Sequence, residues 1–139
     1  MADLTITAAN VLAVAGGSIE RGIAGATTTA GQVVYLDAAT TGKWQLADSD
    51  AAGATARGQG KIGIALNGAA NGQPQAVQTD GDITIGATLT PGAEYVLSDE
   101  PGGICPRADL ATGDYVTIVG VAVSASVLRL RFTYTGVAT

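Results

Sequence analysis

The run GATTTAGQVVYL at residues 25–36 is written a second time at residues 86–97, as GATLTPGAEYVL. The two runs align without a gap, Gly25 on Gly86 and Leu36 on Leu97. The same alignment continues to Gly42 and Gly103, Ala47 and Ala108, and Asp48 and Asp109, so that nine of the 24 positions from 25 to 48 match. The shared letters are Gly, Ala, Thr, Leu and one Asp, which are residues of turns and close packing. Each run ends in a β-branched or aromatic segment, QVVYL or EYVL, that reads as a strand. Farther on, KIGIA (61–65) matches IVGVA (118–122) once the first copy is allowed a four-residue insertion near 49–59. Gly63 and Gly120 then fall inside strands, where glycine marks a bulge or a close backbone approach. Each half is too small to bury its own apolar face, so two β units sharing one core are predicted. A solenoid would need three or more copies.

The rest of the chain follows a period of two. Strands are predicted at 32–36, 43–47, 61–66, 75–79, 82–87, 94–98, 115–123 and 127–134, with a short extended stretch at 4–7. In the last strand Leu128, Leu130, Phe132 and Tyr134 share one face, and Arg129, Arg131 and Thr133 the other. Turn signals separate the runs: Asn67-Gly68, Asn71-Gly72, Asp80-Gly81, Pro91-Gly92, Pro101-Gly102-Gly103 and Thr112-Gly113-Asp114. Such spacing suggests an all-β sandwich or barrel. Residues 48–58 are alanine-rich but carry glycines and no large apolar residue, and read as a loop. Residues 107–113 read as a short helical turn ended by glycine. The predicted organisation is an extended N-terminal arm and linker at 1–24 and one β domain at 25–139, holding internal repeats at about 25–79 and 86–134.

Composition bounds the function. The chain has 139 residues, of which 20 are Gly, 26 Ala and 17 Thr, with only six aromatics. A core of Val, Ile, Leu and Ala gains less per residue from burial than one with large rings. Stability then draws on backbone hydrogen bonds or on partner subunits. The net charge is −5. The five arginines and two lysines form no basic stripe that could displace counterions from phosphates, so neither nucleic acid nor an anionic membrane is expected as a partner. Cys105 is the only cysteine, so no intrachain disulfide is possible, and with no histidine in the chain to activate it, it reads as a structural or incidental thiol ahead of a reactive or intermolecular one. No run approaches the roughly 18 apolar residues of a membrane span. The N-terminal stretch carries Asp3 in place of a basic n-region and reads as mature protein.

The inventory for catalysis is thin. The chain contains no histidine, which excludes Ser-His-Asp and Cys-His arrangements and His-based metal sites. The carboxylate pairs Asp48/Asp50, Asp80/Asp82 and Asp99/Glu100 sit in turn-like sequence, where Asp bonds its own backbone. Asp80 and Asp82 with other loop oxygens could hold Ca²⁺, but the further ligands of a helix-loop-helix site are missing and the turn reading is preferred. GQGKIG (58–63) lacks the first Gly and the Ser or Thr of a phosphate loop. Trp44 reads as a core or interface anchor ahead of a sugar platform. Arg129 and Arg131 read as a solvated strand face or as intersubunit ion pairs. The expectation is a protein that is not an enzyme and takes no cofactor.

From about residue 25 onward the pattern resembles the capsid decoration, or cement, proteins of tailed bacteriophages. The residues carrying the resemblance are the Gly-led strand at 31–36, the Gly-x-x-x-Leu-Ala-Asp turn from Gly42 to Asp48, the Gly63-Ile64-Ala65 strand, the strand from Gly72-Gln73 to Val77 and the second round through Phe132. The resemblance implies a β-tulip-like sandwich or barrel on the outside of the expanded head. It implies a homotrimer that binds the major capsid protein and is made in the host cytoplasm. Leu4, Ile6, Val11, Leu12, Trp44, Arg129 and Arg131 are then the expected capsid or subunit contacts, with the stretch at 4–7 adding a strand to a capsid sheet edge. The alternative is a head-fibre or tail-spike adhesin, which would group aromatics and carboxylates at one loop tip.

Overall fold

Alternating apolar residues bounded by glycine turns fold into ten strands in the computed structural model, which describes residues 3–14 and 17–139. They are β1 (Val11–Ala13), β2 (Ser18–Ile23), β3 (Val33–Asp37), β4 (Lys43–Leu46), β5 (Ile62–Ala65), β6 (Pro74–Ile85), β7 (Glu94–Leu97), β8 (Ile104–Pro106), β9 (Tyr115–Ala122) and β10 (Val127–Ala138). The helical content among the described residues is two 3-10 turns, Ala8–Asn10 and Arg107–Asp109. The alanine-rich stretch at 48–58 forms turns, and no described helix is long and apolar enough to cross a membrane.

The chain is all-β, and its sheet curls into a barrel-like form. Strand order is β4-β3-β5-β6-β10-β9-β7-β8. Read outward from the β6–β10 pair, β5, β3 and β4 lie on one side, and β9, β7 and β8 lie on the other. The two quoted runs thus lead into strands at corresponding places, β3 and β7. The register corresponds too: Gly63 lies opposite Val34, and Gly120 lies opposite Tyr95, the residue with which Val34 aligns in the repeat. Both glycines are buried where the neighbouring backbone comes close. A Cβ on Gly63 would lie 2.5 Å from the carbonyl oxygen of Gln78, and one on Gly120 would strike the carbonyl oxygen of Arg129. The close-approach reading of these glycines therefore holds.

The long strand β6 joins the two sides. Its first half pairs with β5 and β2, its second half with β10 and β1. The sequence predicts two strands here, with a turn at Asp80-Gly81; the structure corrects this. Gly81 has φ +86° and sits inside a continuous strand. The β2 register slips beside it, with Ser18 opposite Asp80 and Ile19 opposite Gln78. A glycine at positive φ serves a bulge as well as a turn. Here it bends one strand so that it belongs to both curls.

The N-terminal segment is extended, and over its described length it is bound to the body. Leu4 N donates to Ile104 O at 2.8 Å, Thr7 N donates to Gly86 O at 2.8 Å, and β1 and β2 run antiparallel along β6. A parallel bridge from Ala24 to Trp44 then joins the end of β2 to β4, closing a ring through β2, β6, β5, β3 and β4. Residues 1–2 and 15–16 of the predicted arm lie outside the described residues.

The ring encloses a small cluster of Val34, Trp44, Ala65 and Val77, with Leu36 and Leu46 against it. The main core takes Val33, Ile62 and Ile64 from one side, Leu97, Ile104, Val119, Leu128 and Leu130 from the other, and Ile83 and Ile85 from β6. Each buried Ile or Leu stabilises the fold by about 1.5–3 kcal/mol relative to an exposed one. Neither side could be removed without stripping the other.

Candidate functional site

The residues named in advance as contacts separate into three groups. Val11 and Trp44 are buried, at 7% and 2% exposure: Val11 is corrected to a core residue, and for Trp44 the core reading holds in place of the contact one. Val11 points inward because β1 pairs with β6 opposite Ile85, and Trp44 because it fills the ring. Leu4 and Ile6 are half-buried against the main core, and the Leu4 amide is already bonded to β8. Strand addition by residues 4–7 would have to break these contacts first. Leu12 is exposed at 63%.

Leu12 belongs to a larger feature that sequence reasoning missed. Seven large apolar side chains are exposed among the described residues, and four of them, Leu12, Val14, Ile19 and Ile23, fall between residues 12 and 23. On β2 the outward side chains are Ile19, Arg21 and Ile23, while a Cβ on Gly22 would meet Trp44 Nε1 at 2.8 Å. The alternation that sends Gly22 to the ring interior sends the two isoleucines to solvent. Reading 1–24 as a linker hid this signal, since SIERGI alternates like any half-buried strand.

The outer face of the other side mixes exposed Val121, Val123 and Val137 with ion pairs. Arg129 Nε donates to Asp82 Oδ1 at 3.0 Å, Arg107 pairs with Glu94 at 3.1 Å, and Arg131 is exposed. Arg129, read as a possible intersubunit partner, thus has its partner within the chain. This pairing also engages one member of the Asp80/Asp82 pair, while Asp80 stays exposed.

Carboxylates do gather elsewhere, at the connection after β4, the β7–β8 turn and the turn before β9. Asp48 is pushed up to about 7, first by burial and then by its hydrogen bond with Asp50. Burial, followed by the charge of Asp99, raises Asp114 above the ordinary carboxylate range.

Cys105 lies fully buried on β8 among Val96 and Val116. Burial, and then the negative charge of Asp3, pushes its thiol up to about 12. The folded protein should therefore leave a disulfide reagent such as DTNB unreacted at pH 8, with one thiol titrating after denaturation. Modification within minutes under native conditions would show that β8 detaches easily from β7.

No family model matches the chain, and no curated protein matches it.

Proposed function

We propose that this protein is a virion structural module that docks on the outer surface of an expanded phage capsid and stabilises capsomer junctions, working as a homotrimer. The observation that carries this reading is the exposure of Leu12, Val14, Ile19 and Ile23, four apolar side chains on or next to strands that are themselves bonded to β6. A hydrogen-bonded β body that already holds apolar side chains outward can dock at little ordering cost. The acidic charge and the absence of histidine fit a mechanical role. A module that binds only the expanded lattice stabilises that state by mass action.

Co-sedimentation with expanded and immature phage heads tests this. The wild type should pellet with expanded heads alone and show a trimeric mass by light scattering. Leu12→Asp with Ile19→Asp should abolish pelleting while leaving the far-UV circular dichroism unchanged. These point changes are cleaner than deleting residues 1–12, because Leu4, Ile6 and Val11 help to hold the core. Equal binding to both kinds of head, or binding that survives the double substitution, would overturn the reading. Saturable glycan binding in its place would support the adhesin alternative.

A further inference from the structure

Backbone hydrogen bonds tie three separate loops together at one place. Ser49 N donates to Ser98 O at 3.0 Å, and Tyr115 N donates to Ser49 O at 3.0 Å. The residues next to these bonds are Asp50, Asp99 and Asp114. One carboxylate oxygen from each lies within 4.8 Å of the other two. Asp50 is exposed, Asp99 half-buried and Asp114 only 6% exposed.

Three carboxylates on a surface need no ligand, but Asp114 is not on the surface. Its Oδ2 is sealed from solvent and has no hydrogen-bond partner, and the fully buried Ser49 Oγ also lacks one. A buried carboxylate oxygen without a donor, on a side chain grouped with two further carboxylates, is costly unless a positive charge compensates it. The chain does not supply that charge. None of the three ion pairs among the described residues involves these aspartates. Arg57 holds its guanidinium 3.7 Å from the centre of the Tyr115 ring and donates from Nη1 to Ala51 O at 3.0 Å; its buried Nε has no partner, and it forms no ion pair with these aspartates.

We propose that Asp50, Asp99 and Asp114 bind a divalent cation of the calcium type, which clamps the three loops together. All three ligands are hard oxygens, the kind that Ca²⁺ and Mg²⁺ take. Oxygens sharing a Ca²⁺ at 2.3–2.6 Å stand up to about 5 Å apart, and those sharing a Mg²⁺ at 2.0–2.1 Å up to about 4.2 Å. The wider sphere suits a triad assembled from three loops, and Ca²⁺ tolerates the irregular geometry such a set imposes. Exposed Asp50 leaves a way in for the ion, and water completes its shell. The clamp joins the β4–β5 connection on one side of the fold to the β7–β8 and pre-β9 turns on the other. It is independent of the docking proposal, because Leu12, Val14, Ile19 and Ile23 contribute no ligand.

The test uses the full chain, stripped with EDTA and dialysed, with Ca²⁺ or Mg²⁺ added as the chloride at pH 7.5. Isothermal titration should show one saturable Ca²⁺ site with weaker Mg²⁺ binding, and saturating Ca²⁺ should raise the melting temperature by about 5 °C. Asp50→Asn and Asp99→Asn, which keep shape and remove charge, should each weaken Ca²⁺ binding at least about tenfold. Asp80→Asn, at an exposed acidic turn outside the triad, should bind as the wild type does. Absence of saturable binding up to about 5 mM Ca²⁺, above the dissociation constants of extracellular modules, would overturn the proposal. So would an unchanged affinity in both Asp50→Asn and Asp99→Asn.

Discussion

Replacing Gly120 by alanine should destabilise the protein by about 3 kcal/mol or more, the upper end for an overpacked site. Gly120 sits in the middle of β9, between Tyr95 on β7 and Leu130 on β10. Beyond it both ladders slip, since Ile118 pairs with Val96 on one side and Thr133 on the other. A Cβ at this place would strike the carbonyl oxygen of Arg129 and crowd its carbonyl carbon at 2.9 Å. These are backbone atoms, so no rotamer change relieves the clash. Either β9 or β10 must shift, and β10 also pairs with β6, the strand that both sides share. Gly63→Ala should cost less, because one of its obstacles is the Val77 side chain. Gly53→Ala, with open space around its Cβ position, should change stability by no more than about 0.5 kcal/mol. Guanidinium unfolding followed by the emission of buried Trp44 measures all three. Equal midpoints for Gly120→Ala and Gly53→Ala would refute the close-approach account.

Trp44→Ala should cost about 3–5 kcal/mol, the range for a large aromatic truncated in a core. Against a typical domain stability of about 5–15 kcal/mol, that removes a large share of the margin. The reason lies in what surrounds it. Trp44 is the one large side chain in a cluster otherwise made of Val34, Ala65 and Val77, with Leu36 and Leu46 at its edge. Valine and alanine are too short to collapse into the space, so a cavity persists. Gly22 faces the indole with no side chain at all. Trp44→Phe should recover more than half of the loss. Calorimetry and circular dichroism are the measures here, since the substitution removes the fluorophore. A loss below about 1 kcal/mol for the alanine variant would mean that the ring collapses freely, contrary to this packing.

Both predictions rest on residues that the sequence already marked, though for different reasons. A glycine inside a strand pattern announces a backbone approach, and Gly63 and Gly120 meet that expectation at corresponding registers. Trp44 was legible as an anchor. Only the closure of the ring through Ala24 made it a core anchor, because a short strand says nothing about what covers its far side.

The surface features were harder to read. Ile19 and Ile23 look the same in sequence whether they face a core or solvent, because period-two alternation identifies two faces without naming the inner one. That choice falls to Gly22, whose missing side chain leaves room for Trp44. The acidic triad was not readable at all. Asp50, Asp99 and Asp114 lie in three separate loops, and the visible pairs, Asp80/Asp82 and Asp48/Asp50, drew attention to the wrong neighbours.

The amino-acid sequence by itself determined that this chain is built of β-strands, roughly where most of them lie, and that the runs at 25–36 and 86–97 lead into similar strands. These properties are set within a few residues, by alternation, β-branching and the glycines that permit turns. Tertiary structure decided that β6 runs unbroken through Gly81, that residues 18–24 complete a ring instead of standing off as a linker, and that three distant aspartates meet. A glycine at positive φ is compatible with a turn and with a bulge alike. Which one forms depends on whether the residues on both sides find strands to pair with, and those partners come from distant parts of the chain.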